Sequence, residues 1–159
     1  MALSANKIRA TRNPGANSYK IADGVKIYAG ALVGLNTNTG YLDKWQDNAY
    51  FVFLGLANNN AAVVGETSDS PMPECLVNEE GVVLTNVSVT GVTAVTNTGD
   101  LVYATDDNTL TLSANVHVYA IGKIVRWISS TYCDVQLFTP NEYLGVSAGS
   151  FPLNPTSPT

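Results

Sequence analysis

An all-β body, a small sandwich or barrel of about ten short strands, is predicted by three features of the sequence. Short apolar or alternating runs recur at a spacing of roughly 8–12 residues, with Asn, Asp, Gly and Ser clusters between them. Thr and Asn are abundant, at 16 residues each, and both are weak helix formers that suit strands and turns. No segment carries a sustained apolar period of 3.6 residues, the mark of an amphipathic helix.

The elements follow in chain order. Residues 1–24 hold Lys7, Arg9, Arg12 and Lys20 and the turn pair Pro14-Gly15 without a sustained period, and are expected to form an extended basic arm. Residues 25–139 are the β-rich body. In it, Tyr28–Leu35 and Tyr41–Trp45 flank Asn36-Thr37-Asn38-Thr39-Gly40 as a hairpin whose loop needs a positive φ at Gly40 or Asn38. Tyr50–Ala57 is continuously apolar, as in a strand buried on both faces. Strands are expected at 61–65, at 75–78 and at 82–89, where Val83, Val87 and Val89 would share the core face. A turn at Glu79-Glu80-Gly81 separates the last two, and a short strand is expected at 92–95. Leu101–Leu112 reads as a hairpin around Asp106-Asp107-Asn108, with Asn108 left-handed. A second hairpin spans Val116–Phe138, turning at Ser129-Ser130, with Asp134 and Gln136 on a wet face. Residues 140–159 hold Pro140, Pro152, Pro155 and Pro158; prolines at this density exclude a helix and disfavour an inner strand, so a proline-rich tail is expected.

Charge divides along the chain. Residues 1–26 carry five basic residues and one acid, a net of +4, whereas 27–159 carry three basic residues and twelve acids, a net of −9; together they give the total of −5. An acidic body argues against nucleic acid as a partner. The basic arm either solubilises a terminus or lies on an acidic neighbour. No run of 18 apolar residues occurs, and residues 1–30 lack the apolar core of a secretory signal, so the sequence reads as a product of the cytoplasm without a membrane span. Cys75 and Cys133 lack metal-site spacing and are expected to be free, buried thiols, with a disulfide between them as the alternative.

Catalytic chemistry is not evident. His117 is the single histidine and has no partner set for a metal or a triad. Cys133 is expected in the core, where a thiol stays protonated. Asp100, Asp106 and Asp107 could attract calcium, but tight hairpins favour Asp and Asn on their own account. No metal, cofactor or catalytic residue is therefore assigned. The aromatic residues form two groups, Tyr41, Trp45, Tyr50, Phe51 and Phe53, and Tyr119, Trp127, Tyr132 and Phe138. They serve either the core or an interface, and Tyr41 and Trp45 are the interface candidates.

The segments YAGALVGLNTNTGYL at 28–42, TGDLVYATDDNTLTLS at 98–113 and IGKIVRW at 121–127 resemble the capsid decoration (cement, or "capsid fiber") proteins of tailed bacteriophages. The likeness covers roughly residues 20–138 and leaves both tails out; the proline-bearing tail departs from a minimal version. It implies a non-enzymatic virion protein on the outer surface of the capsid, made in the host cytoplasm. Such a protein would bind the major capsid protein, stabilise the mature head, and act as a homotrimer. Lys7, Arg9, Arg12, Lys20, Tyr41 and Trp45 are then the interaction candidates. A virion adhesin or carbohydrate-binding β-sandwich, with an exposed aromatic platform, is the alternative.

Overall fold

A computed structural model describes residues 1–9, 15–80, 82–114 and 119–140. Twelve strands occur among them: β1 (Gly15–Lys20), β2 (Lys26–Ile27), β3 (Leu32–Asn36), β4 (Leu42–Lys44), β5 (Phe51–Ala57), β6 (Val63–Val64), β7 (Glu74–Glu80), β8 (Val83–Thr90), β9 (Leu101–Ala104), β10 (Leu110–Thr111), β11 (Gly122–Ser129) and β12 (Tyr132–Leu137). The all-β class is as predicted.

The strands form two main layers. A five-stranded antiparallel sheet has the order β1-β7-β5-β3-β4, and β10-β8-β12-β11-β9 close into a barrel. All barrel pairs are antiparallel except β10 with β8. Closure leaves this half without a free edge, the most direct protection against unwanted strand pairing. Strands β2 and β6 pair separately.

β5 is central in its sheet and buried on both faces, which accounts for its unbroken apolar run. On one side Phe51, Phe53 and Leu56, with Leu32 and Trp45, share a core with the barrel residues Leu84, Val102, Ile124, Cys133 and Val135. On the other side Leu54 and Ala57 join Ile21, Ile27, Val33, Leu42, Cys75 and Val77. One sheet thus separates two cores and belongs to both.

Several local expectations change for identifiable reasons. Residues 15–20, assigned from sequence to the arm, form β1; its largely exposed GANSYK pattern suits an edge strand and has no apolar period to announce it. The alternation expected along β8 is broken at Asn86, whose φ is +53°. There the core-facing set switches from Val82 and Leu84 to Val87 and Val89, and the register with β12 shifts, as a β-bulge requires. Asp134, expected on a wet face, is only 7% exposed. Its carboxylate accepts from the Asn86 backbone N–H at 2.9 Å and from Arg126 Nε at 2.8 Å. A carboxylate holding the bulge of β8 to β11 has no spare face for water. Glu79, expected in a solvated turn, lies within β7 and accepts hydrogen bonds from Asn17 and the Tyr19 hydroxyl. The strand expected at 92–95 is instead a 3-10 turn, Val95–Asn97, beginning at its last residue. Gly40 takes the positive φ of the β3–β4 hairpin, at +75°. His117, Gly81 and the tail beyond Pro140 lie outside the described residues.

Cys75 and Cys133 are free and buried, one in each core. Burial pushes the Cys75 thiol up to about 12 against a hydrogen bond with Asn59. Burial, aided by the Asp134 charge, pushes the Cys133 thiol up to about 11. The thiolate is the reactive form, so folded protein at about pH 8 is expected to leave both thiols unmodified by a thiol reagent. Titration of two thiols should follow addition of denaturant, and rapid labelling of folded protein would contradict this placement.

Candidate docking surface

Residues 1–9 do not project from the body. They run across it as a strap, tied at one end to the 105–109 turn between β9 and β10 and further along to Ala29 and Gly30, just ahead of β3. The turn is built by Asp106, whose carboxylate accepts from the backbone N–H groups of Asn108 and Thr109 at 2.9 and 2.8 Å. This side-chain turn replaces the left-handed Asn108 expected from sequence; among the described non-glycine residues only Asn86 and Ser130 have positive φ. Asp106 also receives the Met1 amino group at 2.9 Å. Burial raises its pKa, but the Met1 ammonium and the N–H and hydroxyl donors outweigh this and hold the carboxyl below the usual range. With its oxygens so engaged, Asp106 is the keystone of a turn and a poor calcium ligand, and no group of three metal-binding side chains occurs among the described residues.

Asp107 points the other way, into the protein, and is 1% exposed. Its Oδ1 accepts the Leu3 N–H at 2.7 Å, and its backbone carbonyl accepts the Leu32 N–H at 2.8 Å, joining strap, barrel and sheet at one residue. Oδ2 has no hydrogen-bond partner. Burial, aided by the neighbouring Asp106 charge, raises this carboxyl above its ordinary value, against the Leu3 N–H and the Lys44 charge.

Lys7 and Arg9 are brought together over Asn108. Lys7 Nζ donates to Asn108 Oδ1 at 2.9 Å, and Arg9 donates to the same oxygen at 3.0 Å and to the Gly30 carbonyl. The Lys7 backbone N–H donates to Ala29 O at 3.0 Å. Partial burial, and for Lys7 the adjacent Arg9 charge, lowers the pKa of both cations, with Asp107 opposing the shift at Arg9. Gly30 makes this approach possible: its φ is +82°, and a Cβ there would lie 2.0 Å from the Lys7 carbonyl oxygen. Between the cations, Ile8 is fully exposed. The segment 7–9 is a ridge between two clefts of about 430 and 500 Å³.

No protein-family model, curated protein or solved structure matches this chain.

The remaining interaction candidates are dispersed. Lys20 ends β1, opposite Glu74 in β7. Tyr41 is half-buried in the β3–β4 hairpin. Arg12 lies outside the described residues. Trp45 is a core residue and not a surface one, at 2% exposure. Its indole N–H donates to Ala104 O at 3.2 Å, and its ring meets Phe51 and Phe53 edge-on at 6.4 and 5.4 Å. A glycan platform centred on Trp45 is therefore not available. Among the described residues the exposed tyrosines are Tyr50 and Tyr132, at 59% and 46%. Sequence reasoning missed Ile8, Gly30 and the buried Asp107. The glycine and the acidic turn are visible in the sequence, but only the returning strap gives them a shared role.

Proposed function

We propose that this chain is a non-enzymatic structural protein that binds the outer surface of a tailed-phage capsid and stabilises the mature head by bridging neighbouring subunits, with the strap ridge as a principal contact. The observation carrying the reading is that ridge. Lys7, Ile8 and Arg9 stand together on a surface already anchored to the body, so a partner meets one exposed apolar side chain flanked by two cations. Apolar anchors ringed by polar groups are the usual makeup of an energetic centre in protein–protein contacts. Pre-anchoring lowers the ordering cost of binding. The sequence likeness to decoration proteins supplies the capsid as the surface. A partner that binds only the expanded shell stabilises it by mass action, and many identical copies multiply a modest contact.

The test is binding to undecorated capsids by a chain lacking residues 2–9. Affinity is expected to fall by at least about tenfold, roughly 1.4 kcal/mol, with a weaker dependence on salt. Equal affinity and equal salt dependence would remove the strap from the contact.

A further inference from the structure

We propose that copies of this chain associate head to tail, the exposed 66–71 loop of one copy seating in the cleft between the strap and β8 of the next. The contact does not depend on the capsid reading and can be tested apart from it.

The cleft is basic on an otherwise acidic protein. Lys7 and Arg9 form one wall, Thr85, Ser88 and Thr90 lie on β8 opposite, the partly exposed Tyr132 borders it, and no carboxylate lines it among the described residues. Both cations spend a hydrogen bond on the neutral oxygen of Asn108, and the buried Asp107 acts on Arg9 from the side of the protein interior. A volume of about 430 Å³ falls in the range of ligand clefts, roughly 300–1,000 Å³.

The complementary surface is on the same chain. Residues 45–122 contain nine acids and no Lys or Arg. Within that stretch Glu66 and Asp69 are exposed on the turn between β6 and β7. The turn is held in shape from within: Ser68 Oγ donates to Glu66 Oε1 at 2.8 Å, the Asp69 N–H to Glu66 O at 3.2 Å, and the Thr67 N–H to Asp23 Oδ1 at 3.1 Å. It therefore presents two carboxylates at little conformational cost. Two anions three residues apart on a turn face two cations two residues apart on a ridge. A nucleic acid would bring a run of phosphates to a protein of net charge −5, whereas the loop brings two charges only. Because cleft and loop are different surfaces, each docked copy keeps one of each for the next neighbour, the heterologous geometry that yields rings when the rotation closes.

Sedimentation velocity of the full chain at about 50 mM and about 500 mM salt reads this contact, since screening shortens from roughly 14 to 4 Å across that range. Association at low salt and its weakening at high salt are expected. Lys7→Glu and Asp69→Lys should each weaken it at least about tenfold, and the chain carrying both reversals should regain it, because the charges again match. Glu66→Lys serves as a second loop reversal should Asp69→Lys disturb the turn. A monomer at both salts would overturn the proposal, as would association that neither reversal weakens or that the double reversal fails to restore. Asp69→Lys lies outside the strap, so weakened self-association with capsid binding intact is its expected result and separates this contact from the capsid contact, which Lys7→Glu also touches.

Discussion

Trp45→Ala should lower the free energy of unfolding by about 3–5 kcal/mol, the range for truncating a large buried aromatic residue. The position fills the junction between the two layers. Its ring packs against Phe51 and Phe53 of the sheet, while its N–H reaches across to Ala104 of β9 in the barrel. Truncation removes dispersion contacts from both layers, opens a cavity between them, and strips a hydrogen bond from a buried carbonyl. Trp45→Phe keeps most of the volume and should cost clearly less. Urea midpoints of the two variants measure the difference. If Trp45→Ala were nearly neutral, the indole would belong on the surface, and the platform reading would return.

Gly30→Ala should free the strap. The added Cβ would sit 2.0 Å from the Lys7 carbonyl oxygen, and the φ of +82° is itself unfavourable for alanine, by roughly 1–2 kcal/mol. Gly24→Ala separates the two effects, since Gly24 has a φ of +73° with nothing within 4 Å of the added carbon. Exchange of the Lys7 amide, which donates to Ala29 O, should quicken at least about tenfold in Gly30→Ala, equal to roughly 1.4 kcal/mol. In Gly24→Ala it should change little. Equal protection of Lys7 in both variants would show that the strap does not need the glycine.

The sequence carries this fold unevenly, and the reason is range. β5 and the β3–β4 hairpin are readable because their signals are local, a continuous apolar run and a loop ending in Gly40. Barrel closure is not, since it needs β10 to lie parallel to β8, a pairing that no local period encodes. The bulge at Asn86 shifts which residues of β8 meet the shared core, so strict alternation overlooks Leu84 even where the strand itself is correctly located. Trp45 shows a different limit: an aromatic residue before a polar stretch satisfies the pattern of a core and of an interface equally. The docking surface was half legible. Lys7 and Arg9 stood out as cations in an acidic chain, and Asp106-Asp107-Asn108 as a turn. Their union depends on Leu3 reaching Asp107 across 104 residues of sequence, which only the folded chain reveals.

Adhesion to a viral shell is the central proposal, and electron microscopy of tailed-phage particles assembled with and without this chain tests it most directly. Particles carrying the chain should show added density on the outer face of the expanded capsid, with the strap ridge turned toward the shell, and particles lacking it should show a bare surface there. Identical outer surfaces in the two preparations would contradict the account.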